Sequence, residues 1–115
     1  MKRYRYLVLG FLLCAYDSFA QEVQLIPYRK GDKWGYCTPD KKIIIPCEYD
    51  KAWEFIEGLA AVQKGGKWGF INTAGELVVP CVYDEVGYFY EGVAFVKRNN
   101  KEFYISREGV EYYED

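Results

Sequence analysis

The 115 residues include no histidine, a single methionine and no Cys-x-x-Cys pair. A zinc site has few ligands to draw on, and the usual side chain for proton transfer near neutral pH is missing. No metal or cofactor is expected. Lysine and arginine form no cluster, and 15 basic against 17 acidic side chains leave no positive stripe of the kind that phosphate-backbone binding requires. Nucleic acid is not an expected partner. The apolar stretch Leu7 to Ala15 covers nine residues, far short of the roughly 20 that a membrane-crossing helix needs. No Gly-x-Ser-x-Gly nucleophile motif occurs.

The chain is instead rich in apolar and aromatic residues, at 50% and 19%, a composition that suits a folded, aromatic-rich β domain rather than a disordered tail. Lys2, Arg3 and Arg5, the following apolar run and Ser18-Phe19-Ala20 have the layout of an export signal cleaved after Ala20. The mature chain is expected to be exported (periplasmic, cell-surface or secreted), with no membrane span after cleavage. About 95 residues then remain for one small domain with a thin core. Removal of residues 1–20 takes away Lys2, Arg3, Arg5 and Asp17, leaving 12 basic and 16 acidic side chains. Leu13 stands before Cys14 where lipoprotein signals carry a small residue, which disfavours a lipid anchor.

Self-comparison shows a fixed period of 34. Lys33-Trp34-Gly35-Tyr36 returns as Lys67-Trp68-Gly69-Phe70, and Ile43-Ile44-Ile45-Pro46-Cys47 as Leu77-Val78-Val79-Pro80-Cys81. Tyr49-Asp50 matches Tyr83-Asp84, and Phe55 with Glu57-Gly58-Leu59-Ala60 matches Phe89 with Glu91-Gly92-Val93-Ala94. The expected organisation is a signal over 1–20, the closing strand of a preceding partial unit over 21–30, full units at 31–64 and 65–98, and a degenerate partial unit at 99–115. A period of 34 also occurs in helical repeats. Here, however, Pro46, Pro80, Gly35 and Gly69 interrupt runs of only four to six apolar residues rich in Ile, Val, Tyr and Phe, which read as strands.

The fold class is therefore all-β: tandem antiparallel β-hairpin repeats with three short strands per unit. In the second unit these are strand a (Lys67 to Asn72), strand b (Glu76 to Val79) and strand c (Gly92 to Arg98), with a long loop from Pro80 to Glu91. Gly31-Asp32, Gly65-Gly66 and Asn99-Asn100 fall between strand c and the next strand a. All three pairs suit two-residue hairpins, which demand positive φ. That register sets Val62 opposite Gly69, Gln63 opposite Trp68, Tyr28 opposite Gly35 and Arg29 opposite Trp34. Each glycine is expected to make room for the side chain across from it. In the third unit Lys97 faces Glu102 and Val96 faces Phe103, which predicts an ion pair where the indole contact would be. Gly75 and Gly109 suit the left-handed position of the turn between strands a and b. The first unit has Lys41 there, and a different turn set by Pro39 is expected because a left-handed lysine costs on the order of 1–2 kcal/mol.

These motifs, in this order, resemble the WG repeat family from Leu25 to about Val110. The resemblance implies an all-β repeat array, mostly bacterial and often exported, used as a binding or scaffolding surface and without one established activity. Its structural motif residues here are Trp34, Gly35, Trp68 and Gly69, with Gly58 and Gly92. Glu102-Phe103 departs from the Trp-Gly pattern.

Of the residues outside the motif, Phe55 and Phe89 are equivalent and are assigned to core, whereas Trp53, Tyr88 and Tyr90 are the candidate binding residues. Their structural reading is packing against the neighbouring unit. Their functional reading is a protein interface or, with Glu54, Glu91 or Asp84, a glycan or peptidoglycan site. Self-association through edge strands at Val23 to Lys30 and Lys101 to Tyr113 is the other expected partnership. A hydrolase pair at Glu57 and Glu91 is disfavoured because both belong to the recurring Glu-Gly, and no catalytic residues are assigned. Cys37, Cys47 and Cys81 follow the signal. Cys47 and Cys81 are either half-buried thiols at equivalent places or a bridge, if their Cα atoms come within about 7 Å.

Overall fold

A computed structural model describes residues 24–113, so the expected signal at 1–20 lies outside the described residues. The first sheet contains β1 (Ile26–Lys30), β2 (Lys33–Cys37) and β3 (Ile43–Tyr49), in that order. The second contains β4 (Lys51–Ala52), β5 (Leu59–Lys64), β6 (Lys67–Asn72) and β7 (Leu77–Tyr83). The third contains β8 (Glu85–Val86), β9 (Val93–Arg98), β10 (Lys101–Ser106) and β11 (Glu111–Tyr112). Every pairing is antiparallel. Strand β10 therefore lies inside its sheet, between β9 and β11, rather than at an edge.

The hairpin registers are those expected: Tyr28 opposite Gly35, Arg29 opposite Trp34, Val62 opposite Gly69, Gln63 opposite Trp68, and Lys97 opposite Glu102. The tight turns use two solutions. Gly65 and Gly66, like Asn99 and Asn100, both have positive φ, whereas in Gly31-Asp32 only the glycine does, matching types I′ and II′ respectively.

Strand b is longer than expected. Instead of stopping before a loop at Pro80, it runs on through Pro80 and Cys81 to Tyr83, and a two-residue strand then joins the next sheet. Proline is compatible with this course because β3 and β7 are edge strands, whose missing N–H has no ladder partner to lose. The pairing shifts from Phe70 opposite Val79 to Trp68 opposite Tyr83, so two residues of β6 are spanned by four of β7. The same bulge separates Tyr36 opposite Ile45 from Trp34 opposite Tyr49.

That bulge assigns the motif glycine a different task from the one expected. A Cβ on Gly69 would overlap the Val79 carbonyl oxygen and lie 2.7 Å from the Pro80 carbonyl carbon; on Gly35 it would overlap the Ile45 oxygen and lie 2.6 Å from the Pro46 carbonyl. The room is taken by the backbone of the bulged strand, not by the side chain of Val62 or Tyr28.

The first a–b turn also differs from expectation. Lys41 keeps the left-handed conformation at φ 70, and Lys41 N–H and Thr38 N–H make the same backbone bonds, to Thr38 and Lys42, that Gly75 and Asn72 or Gly109 and Ser106 make in their units. A side chain at one recurring position supports each turn. Asn72 Oδ1 accepts from Ala74 and Glu76 N–H, Ser106 Oγ from Glu108 and Val110 N–H, and Thr38 Oγ1 from Lys42 N–H at 3.1 Å. These bonds offset the strain at Lys41, each contributing about 0.5–1.5 kcal/mol.

Two cores form between successive sheets. The first joins Leu25, Tyr36, Ile45 and Tyr49 to Ala60, Val62 and Ile71. Adding 34 to each number gives Leu59, Phe70, Val79, Tyr83, Ala94, Val96 and Ile105, all members of the second core, which also takes in Ala61, Trp68, Val86, Phe89 and Phe103. Phe55 and Phe89 pack on Tyr36 and Phe70, with ring centroids 4.8 and 4.7 Å apart.

Replacing Gly69 by alanine should cost on the order of 3 kcal/mol or more in urea unfolding, because backbone must move. Gly66→Asn, which installs the residue type found at Asn100, should change stability by less than about 1 kcal/mol. Lys41→Gly should raise stability by about 1 kcal/mol in the same measurement, since glycine occupies the left-handed region without the Cβ penalty.

Candidate functional site

The polar residues of the motif are positioned at the corners between sheets. Strand b leaves its sheet after Tyr49 or Tyr83, and the next residue is the motif aspartate. The Asp50 carboxylate takes the Lys33 ammonium of its own unit and, at 2.9 Å, the N–H of Gly65 in the following turn. Asp84 likewise takes Lys67 and, at 3.0 Å, Asn99 N–H. The lysine of Lys-Trp-Gly and the aspartate of Tyr-Asp thus recur because they clamp the same corner. Hydrogen bonding from the lysine first, and from the turn N–H second, holds both carboxyls below the usual range.

Glu57-Gly58 and Glu91-Gly92 each form a tight reversal with positive φ at both residues, closed by paired bonds between Ile56 and Leu59 and between Tyr90 and Val93. The carboxylate of Glu57 reaches the next unit, accepting from Glu91 N–H at 2.8 Å and Gly92 N–H at 3.3 Å. Arg107, in the third-unit turn, donates to the Glu57 carbonyl. The recurring Glu-Gly has both a turn role and a unit-joining role.

The candidate aromatics separate into two groups. Trp53 is half-buried and packs on the second core, with its ring 4.7 Å from Trp68 and 5.1 Å from Tyr88. Its carbonyl accepts from the buried Tyr36 hydroxyl at 2.7 Å, and burial drives the Tyr36 pKa strongly up. Trp53 and Tyr88 are inclined at 47° to each other rather than coplanar. Tyr88 is 53% exposed and Tyr90 71% exposed, while Phe89 between them is buried. Trp34 lies under the Arg29 guanidinium at 5.9 Å, and Trp68 is buried beneath Trp53.

A cluster in the third unit enlarges a contact that recurs, since Lys64 lies 5.8 Å over the Tyr49 ring one period before Arg98 over Tyr83. Arg98 makes two bonds to Glu111, at 2.7 and 2.9 Å, and stacks 5.2 Å over Tyr83 and 5.3 Å over Phe103. Tyr83 donates to the same carboxylate; burial first, and this bond second, push its pKa up to about 12. Position 98 is Lys64 one unit earlier and position 111 is Leu77, so self-comparison carries no signal for the pair. The ion pair expected between Lys97 and Glu102 is replaced by one at 4.0 Å between Lys97 and Glu85, because β8 flanks β9 on its other side.

Cys37, Cys47 and Cys81 are free thiols. Cys47 and Cys81 sit within the bulges, directed at the Tyr28 and Val62 carbonyls at 3.5 and 3.9 Å. Among the described residues no three His, Cys, Asp or Glu side chains are grouped to hold a metal ion, and no helix is long and apolar enough to cross a membrane.

A carboxyl whose pKa is lower in the folded state contributes stability that is complete above its unfolded value, near 4, and is lost as pH falls through the folded one. Asp50 and Asp84 are both of this kind. Thermal melts should therefore be flat above about pH 5 and fall below pH 4, with a shallower fall in the Asp50→Asn, Asp84→Asn double variant. Glu57→Ala should cost about 1 kcal/mol in urea unfolding; Glu91→Ala, at the same motif position, should cost clearly less.

The sequence profile described as "WG containing repeat" matches residues 34–68 and 68–101. No curated protein and no solved structure matches the chain. The two tandem matches span more than half of the sequence and coincide with the strands, bulges and corner clamps above; the chain belongs to the WG-repeat family.

Proposed function

We propose that the chain is a non-catalytic repeat module of an exported bacterial protein and mediates protein–protein interaction at the cell envelope or exterior. One observation carries this reading: three of the recurring carboxylates are engaged in the scaffold. Asp50, Asp84 and Glu57 each hold backbone N–H groups of the following unit. Exposed residues that do not recur are free to differ in chemistry from unit to unit, and Tyr88 and Tyr90 are the most accessible aromatics of the b–c connections. Rigid aromatic side chains of this kind supply contact area at low entropic cost. The inclined rings of Trp53 and Tyr88 offer no common plane on which a sugar would stack, which favours a protein over a glycan.

The chain, produced with its first twenty residues, should be recovered outside the cytoplasm starting at Gln21 by N-terminal sequencing. Crosslinking in envelope extracts should give discrete protein adducts that fall several-fold in the Tyr88→Ala, Tyr90→Ala double variant, whose melt should match the parent. Cosedimentation with peptidoglycan that the double variant loses would replace this reading with the glycan one.

A further inference from the structure

The inter-sheet contact is built from two halves. A forward half, Leu25, Tyr36 and Ile45 in the first sheet or Leu59, Phe70 and Val79 in the second, is covered by the rear half of the following sheet. That rear half is Ala60, Val62 and Ile71, or Ala94, Val96 and Ile105. The third sheet carries a corresponding outer face in Val93, Tyr104 and Tyr112, the last paired with Tyr104 across the ladder, whereas Tyr113 packs on the inner side against Phe103. Among the described residues no sheet covers that outer face, and Val93, Tyr104 and Tyr112 are 38%, 52% and 53% exposed. Phe95, at the position of Ala61, packs edge-on against Tyr104 with centroids 5.9 Å apart. Phe95, Tyr104 and Tyr112 belong to the lining of an open groove of about 1040 Å³ that also takes in Phe103 and Tyr113, with Arg98, Lys101 and Glu102 beside them.

The rear half also occurs once more, on the far face of the first sheet. Ile26, Tyr28 and Cys37 stand one period before Ala60, Val62 and Ile71; Ile26 is exposed, Tyr28 half-buried, and Cys37, paired with Ile26 across the ladder, is buried. One chain therefore holds both halves of a contact that its own fold builds twice.

We propose that the chain self-associates head to tail, the first sheet of one copy docking on the outer face of the third sheet of another as a further instance of the inter-sheet contact. This rests on the reading of the chain as an interaction module and names its partner as a second copy. The contact is heterologous, so copies add in series instead of closing as a pair. Tyr104 stands where the internal contacts bury Tyr36 and Phe70, and with Tyr112 beside it the hydroxyls keep the face soluble between encounters. The association is accordingly reversible and weaker than the contacts within one chain.

Sedimentation velocity on the exported chain, from micromolar to millimolar concentration, tests this. The average mass should rise continuously with concentration. Tyr104→Lys on the third sheet and Ile26→Lys on the first should each abolish the rise while leaving the circular dichroism unchanged, with Tyr112→Lys as a second third-sheet variant should Tyr104→Lys fail to fold. Mixing the two single-face variants should yield a one-to-one dimer that neither forms alone, since each retains the face the other lacks. A parent chain that stays monomeric throughout overturns the proposal. So does loss of assembly in Tyr104→Lys with none in Ile26→Lys, which would mean that two third sheets pair face to face, and so does a monomer whose third-sheet face is covered by its own N-terminal segment, revealed as a lowered melt in both third-sheet variants. Tyr88 and Tyr90 do not line the groove, so crosslinking that depends on them would survive failure of this inference.

Discussion

The architecture depends on one steric contact, in which a strand-b carbonyl occupies the volume that a Cβ would fill at Gly35 and Gly69. Only glycine allows that approach. Because the edge strand can come so close, it absorbs two extra residues opposite the glycine and bends there, as bulged strands do. The extra length carries the chain to Tyr49 or Tyr83, opposite the motif tryptophan, and then over the corner into the next sheet. The aspartate at the corner links the lysine of the sheet being left to the turn of the sheet being entered. Glycine, tryptophan, tyrosine, aspartate and lysine are thus parts of one device, and the device accounts for their common period.

Much of this was legible in the amino-acid order, and what escaped has physical reasons. The hairpin registers followed from turn length alone, because two-residue reversals leave one pairing for the flanking strands. The glycine was misread because a register states what lies across one ladder and is silent about the strand on the other side. Pro46 and Pro80 looked like strand ends, yet on an edge strand a missing N–H costs the ladder nothing. Lys41 looked incompatible with a left-handed turn, but the Thr38 side chain holds the backbone there. Among the candidate aromatics, exposure at Tyr88 and Tyr90 follows from alternation about the buried Phe89. The burial of Trp53 depends on Trp68, a residue of the neighbouring hairpin, and pairwise contacts of that kind leave no trace in a period.

Strand β5 shows how a thin sheet serves two cores. Ala60 and Val62 face the first core, Leu59 and Ala61 the second, and all four are buried. Two adjacent alanines keep the strand slim where both neighbouring sheets press on it. In β6, Ile71 belongs to one core and Phe70 to the other. Stability in such an array is approximately a sum over units and their contacts, but here each contact shares its strands with the next. The middle sheet is consequently the element whose loss would expose both cores, whereas the outer sheets each contribute to one.

The third sheet meets the same packing demand with other residues. Phe103 replaces the motif glycine and is buried against Tyr83, with centroids 6.1 Å apart. Among the described residues its cross-strand neighbour on the β11 side is the Tyr113 ring, packed edge-on with centroids 5.1 Å apart. Glu102, in place of the tryptophan, is exposed, and the cover that an indole would have supplied comes from Arg98 stacked over Tyr83 and Phe103 and held by Glu111. Read by sequence similarity alone, this unit has decayed; read by packing, it keeps the inward half of the contact intact in Ala94, Val96 and Ile105, and its outward face exposes Tyr104 at the position where Tyr36 and Phe70 are buried.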